Sequence, residues 1–262
     1  MISFAAITPH PPLLIPNIGK DKMEKLAVTK KAFLDLEEKI KKAKLDSLLI
    51  ISSSAEMHSA TYGIILSEKY KTDFKEFGDF TTKIELFPDV ELIEKIRHTA
   101  LDNNLPFNLS HNENLDYNFS VPLFYLLQDK KIKVIPFVRT YQGAKEHYEL
   151  GRLIKKILAE SNKKIGIIVS GNLSHRSNEK SPLGFSKNGK TFNDKFIELL
   201  ETKNNAGLLS FPEKIVEEAN ESILLGTAML MGIIDKINYK PQIFSFEAPL
   251  GIGYLVCNFK LI

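Results

Sequence analysis

The chain has 262 residues, 44% hydrophobic and 26% charged, enough for one sizeable core, and a formal charge of +3. With both signs interspersed, that near-balance argues against a protein that binds nucleic acid or a membrane surface. A single cysteine, Cys257, excludes an intrachain disulfide framework and any CxxC-type zinc or iron–sulfur site. Six histidines are left as the scarce groups able to ligate a metal or move a proton.

The first residues, Met1 to Ile7, lack a positively charged leader region, and no stretch reaches the ~20 apolar residues that span a bilayer. Cytoplasmic residence is the expectation. No repeat, low-complexity tract or linker interrupts the chain, so residues 1–262 are expected to form one domain. Nothing in the composition opposes a homo-oligomer.

Taken in chain order, apolar runs alternate with amphipathic stretches, the pattern of an α/β fold with a mostly parallel or mixed central sheet flanked by helices. Ile2–Ile7 reads as a strand that ends in a proline-rich loop. Leu26, Phe33, Leu36 and Ile40 recur at helical spacing, predicting a helix over Asp21–Ala43 with Asp21 as its N-cap. Ser47–Ser52 is apolar enough to be covered on both faces. Thr61–Leu66 and Thr82–Phe87 read as further strands, followed by a helix over Glu91–Asn103. The second half repeats the theme: strand Ile132–Val138, helix Ala144–Glu160, strand Lys164–Ser170, then helices over Phe192–Thr202 and Glu221–Ile237. Gln242–Glu247 and Gly251–Lys260 close the chain as a hairpin or bulged bend.

In open α/β sheets, ligands gather outside the carboxyl ends of the strands. His10 lies just past the first strand, its direction fixed by Pro9, Pro11 and Pro12; the plainer alternative is a turn that stops the strand. His175 follows the strand ending at Ser170, in Gly171-Asn172-Leu173-Ser174-His175-Arg176. This segment combines turn formers with a titratable base and one of only four arginines; ordinary turn chemistry would also account for it. Glu247, between two apolar strands, either sits on a hairpin rim or meets a cation or donors. His98, on an amphipathic helix, and His147, in a charged one, read as surface or packing residues, and His111 as loop. His58 stands slightly past the second strand, close enough to keep. Two imidazoles and a carboxylate at strand ends suit a mononuclear metal site with open positions, and any further His can serve as acid or base.

Here a family resemblance becomes specific. Ile7-Thr8-Pro9-His10-Pro11-Pro12-Leu13-Leu14-Ile15-Pro16 resembles the opening of the catalytic chains of class III extradiol ring-cleavage dioxygenases, a superfamily that also includes Memo-like proteins. Glu76-Phe77-Gly78-Asp79-Phe80, Ser170 to Arg176 and Phe246 to Val256 resemble later family motifs in the same order. The resemblance implies Fe(II) held by His10 and Glu247, with His175 as the acid/base that takes a proton from a catechol-type aromatic substrate before O2-dependent ring cleavage. Ser54, Asp116, Tyr117, Asn172 and Arg176 would line the cleft.

Two departures stand out. Where the family's second strand ends in Ser-Pro-His, supplying the second imidazole ligand, this chain has Ser52-Ser53-Ser54. Where the family has Asp-His-Gly before Val-Pro-Leu, this chain has Asp116-Tyr117-Asn118. His58 is the substitute ligand the sequence offers, with Glu56 and Tyr117 as further contributors. The resemblance therefore implies either a divergent extradiol-type dioxygenase or a Memo-like, non-oxygenase binding or scaffold protein with an incomplete metal site. A zinc hydrolase built on the same residues ranks last.

Overall fold

A computed structural model describes residues 1–53, 60–127 and 131–262. The four apolar runs that read most clearly as strands form its centre: β1 (Ile2–Thr8), β2 (Ser47–Ser52), then, after the shorter β3 (Tyr62–Ile65), β4 (Tyr70–Thr72), β5 (Glu85–Leu86), β6 (Phe107–Ser110) and β7 (Asn114–Leu115), β8 (Lys133–Val138) and β9 (Ile165–Ser170). Two further strands follow, β10 (Tyr239–Glu247) and β11 (Tyr254–Leu261). The main sheet runs β10-β11-β1-β9-β2-β8-β3-β6, and β5-β4-β7 forms a small second sheet. Strands β1, β9, β2 and β8 are mutually parallel, with Thr8 opposite Ser170 and Ser52 opposite Val138, whereas β11 and β3 join antiparallel on either side. The sheet is thus mixed around a parallel centre.

The period-two alternation of a strand divides the core into two layers. Ala5, Ile7, Leu49, Ile51, Ile135, Phe137, Ile167 and Val169 face one layer. Phe4, Ala6, Leu48, Ile50, Val134, Ile168 and Val256 face the other. Each large apolar side chain removed from water contributes roughly 1.5–3 kcal/mol, and both faces of the central strands need cover.

The helices supply it. Short α1 (Pro16–Gly19) is followed by α2 (Ala27–Ala43), whose Phe33, Leu36 and Ile40 are buried in the second layer together with α4 (Tyr117–Leu126). The first layer is covered by α3 (Val90–Asp102), α5 (Ala144–Ala159), α6 (Lys187–Glu201), the short α7 (Asn205–Leu209) and α8 (Glu213–Ala219), and α9 (Leu224–Ile233).

Several expectations need correction. Residues Lys20–Leu26 form a 3-10 helix, so Asp21 lies inside it, and α2 begins only at Ala27. The strand expected over Thr82–Phe87 shrinks to Glu85–Leu86 in the small sheet. The helix expected over Glu221–Ile237 is confined to Leu224–Ile233, because Glu221 accepts from the Ile223 and Leu224 N–H groups and so caps the helix instead of joining it. Ser186 caps α6 by accepting from Asn188 N, which starts that helix at Lys187, well before the expected Phe192.

Candidate functional site

The carboxyl ends of β1, β9, β2 and β8 lie side by side, and the rare polar residues collect there. His10 follows β1 and is 3% exposed. Its backbone N–H donates to Asn172 Oδ1 at 3.2 Å, and its ring stands edge-on to Tyr117, centroids 5.5 Å apart at 82°. Nδ1 lies 3.0 Å from Ser170 Oγ. Burial, with the neighbouring His175 and the Arg139 guanidinium, pushes the His10 pKa down to about 3, so the ring is neutral at ordinary pH.

The His175 segment leaves β9 through Gly171, where a Cβ would stand 2.7 Å from Ser222 O and 2.8 Å from Ile223 Cα, so only glycine allows this approach. The segment is held on both sides. Leu173 N donates to Gly253 O at 2.9 Å and Gly253 N to Ser174 O at 2.9 Å, a ladder onto the turn between β10 and β11. On the other side His175 N donates to Ala219 O at 2.9 Å, and Asn172 N to Ser222 Oγ at 2.9 Å. The His175 ring places Nδ1 2.5 Å from Asn220 O. A carbonyl only accepts, so Nδ1 carries the proton and Nε2 is the basic nitrogen. Burial lowers the His175 pKa and the Asn220 carbonyl works against that shift.

Arg139 is the site residue that no sequence motif marks. It is 5% exposed, one residue beyond β8, and donates to Thr140 O at 3.1 Å and, more weakly, to Ser222 O at 3.5 Å. Its charge bears on His10 and His147, and it opposes the burial that raises the Glu221 pKa. One signal does point to it: Arg139 is the first charged residue after an apolar strand, on the same edge as His10 and His175. His147, read as surface or packing, is fully buried in α5, with Nδ1 2.9 Å from Gly143 O and its ring edge-on to Tyr62; burial brings its pKa down to about 4.

The other expected site residues fall as follows. Tyr117 opens α4 between His10 and Phe77, whose ring lies 5.2 Å away, and burial raises its pKa with help from the Glu76 and Asp116 carboxylates. Asp116 caps α4 by accepting from Asn118 N at 3.1 Å. Asn172 holds the His10 backbone, as above. Arg176 turns to Gly184 O at 3.3 Å. Glu247 ends β10, where Oε1 accepts from Thr29 N at 2.8 Å and from Thr29 Oγ1 at 2.5 Å, seating a carboxylate on the first turn of α2. Ser54, Glu56 and His58 lie outside the described residues. His98 is largely exposed beside Glu94, and His111 meets Leu66 O at 3.1 Å; neither joins the cluster.

A mixed α/β sheet with imidazoles gathered at its parallel strand ends has the layout of a ligand-binding or catalytic α/β domain. Residues 4–257 match the family described as the catalytic LigB subunit of aromatic ring-opening dioxygenase, and the chain belongs to that family. Protein CA_C1420 of Clostridium acetobutylicum is 26% identical over 264 residues, a match that covers 97% of this chain and 56% of that protein, so the chain spans little more than half of this relative's length. The crystal structure of JW3007, an uncharacterized protein from Escherichia coli K12, shares the fold with a TM-score of 0.67 at 16% identity, covering 98% of this chain and 99% of that one.

The donors present bear directly on the metal that the resemblance implies. Among the described residues no three His, Cys, Asp or Glu side chains converge on a point a metal ion could occupy. Glu247 Oε1 is already engaged by two donors of Thr29. Toward the implied site the described residues supply one imidazole, His10, and one carboxylate, Glu247, while Ser54 and the substitute His58 lie outside them. No helix among them is long and apolar enough to cross a membrane.

Proposed function

We propose that this LigB-family chain binds a small hydroxylated aromatic ligand at its strand ends and exchanges a proton with it through His175, without the family's three-ligand iron. The observation that carries this reading is the state of the His175 ring: Nδ1–H rests on Asn220 O, and burial keeps the imidazole neutral. Nε2 can then take a proton from an acidic ligand hydroxyl, and the Asn220 carbonyl stabilises the imidazolium that forms. The phenolate left behind is favoured by the Arg139 guanidinium, whose charge already reaches this cluster. His10, with its pKa near 3, is the weaker base of the two and serves as an acceptor.

The test combines elemental analysis of protein loaded anaerobically with Fe(II) and titration with catechol. The expected result is substoichiometric iron in the native chain, catechol binding lost in His175→Ala, and iron gained in Ser54→His, which writes the family imidazole back into the sequence. Native protein that retains one iron per chain and consumes O2 with a catechol would overturn the reading in favour of a working dioxygenase.

A further inference from the structure

One carbonyl in the first turn of α4 lacks its regular helical donor because of a proline. In an α-helix the N–H of residue i+4 donates to the carbonyl of residue i. For Asn118 that residue is Pro122, which sits inside the helix and has no N–H. A carbonyl left over in the interior requires another donor. Ser170, the last residue of β9, supplies it: its hydroxyl donates to Asn118 O at 2.5 Å.

The consequence passes to His10. A hydroxyl has one proton to give, and Ser170 gives it to a group that can only accept. Toward His10 Nδ1, 3.0 Å away, Ser170 Oγ is therefore the acceptor. Nδ1 must carry the ring proton, which leaves the lone pair on Nε2. Two further contacts restrict the ring: the His10 N–H is tied to Asn172 Oδ1, and the Tyr117 ring, from the same helical turn as Asn118, packs edge-on against it.

We infer that Pro122, Asn118 and Ser170 form a positioning relay that fixes His10 as its Nδ1–H tautomer and makes Nε2 its sole basic atom. The proline frees the carbonyl, the carbonyl orients the hydroxyl, and the hydroxyl sets the tautomer. Nε2 of His10 then receives an O–H donor or a cation and cannot donate to a ligand carboxylate or carbonyl. What meets Nε2 rests on the binding reading above; the tautomer itself does not.

The relay is tested without any ligand, by long-range proton–nitrogen NMR of protein labelled with 15N-histidine near pH 7.5, with the His10 signals identified by their loss in His10→Gln. In the native protein His10 is expected to show a pyrrole-type Nδ1 and a pyridine-type Nε2. Ser170→Ala removes the acceptor and moves both nitrogens toward averaged tautomers. Pro122→Ala gives Asn118 its helical donor, releases the Ser170 proton and shifts His10 in the same direction without touching Ser170. His147, whose Nδ1 is held by Gly143 O, keeps its signals and reports that the fold is intact. Should Ser170→Ala fail to fold, Pro122→Ala carries the test. A native His10 protonated on Nε2, or a tautomer pattern unchanged in the folded variants, overturns the relay. Failure of catechol to bind would count against the binding reading alone.

Discussion

Two of the buried neutral imidazoles, His10 and His147, each weaken the fold in mild acid, and the size of their contribution follows from the structure. His10 and His147 have folded pKa values of about 3 and about 4 against 6.5 for an exposed imidazole. Between pH 6.5 and those values these two groups bind more protons in the unfolded chain than in the folded one, so their contribution to stability is fullest above 6.5 and is lost as the pH falls. Each pKa unit corresponds to roughly 1.4 kcal/mol, so going from pH 7 to about pH 5 costs close to 2 kcal/mol per histidine, about 4 kcal/mol for both. That is a large fraction of the ~5–15 kcal/mol that holds a typical domain together. Urea unfolding at the two pH values measures the loss directly. His147→Gln, which removes one titrating group, should change the loss by about 2 kcal/mol, whatever it does to stability at neutral pH. If the pH dependence is the same in native protein, His10→Gln and His147→Gln, the assignment of buried neutral rings is wrong.

Two further predictions concern the frame around the site. Glu247→Ala should cost about 1.5–3 kcal/mol in urea unfolding, because the carboxylate accepts two donors of Thr29, and Thr29→Val should cost about half as much; a coupling of zero between the two in a double-mutant cycle would refute the anchoring of β10 to α2. Gly251→Ala should destabilise by about 2–4 kcal/mol, since φ is +78° there and a Cβ would stand 2.2 Å from Ser181 N; an unchanged melting temperature would show that the turn is not held this way.

The parallel centre of the sheet is legible in the sequence because strands buried on both faces must be continuously apolar. Ser47–Ser52 reads with its observed ends, and the runs at Ile132–Val138 and Lys164–Ser170 each start one residue early. Helix α4 is invisible for the opposite reason: it is apolar on nearly all sides, so it shows no helical period, and Pro122 argues against a helix where tertiary packing enforces one. The short strands β4, β6 and β7 carry too few residues for a period of two to be seen. At the site, His10 and His175 can be read from their places just past strands, whereas Arg139, in the same kind of place, stands in no motif that would single it out. The bond between Glu247 and Thr29 joins residues 218 apart in sequence and has no local signal.

The ladder that seats His175 has a temporal side. Its partner Gly253 belongs to the turn between β10 and β11, and β11 is the strand that pairs with β1. A nascent chain already contains His10, Ser170 and Arg139 when it still lacks residues 239–261, but the Leu173-Ser174 backbone just before His175 then lacks its Gly253 partner. The backbone that carries His175 is therefore completed on that side only by the late hairpin, and a copy cut short before β10 carries the histidines without that support.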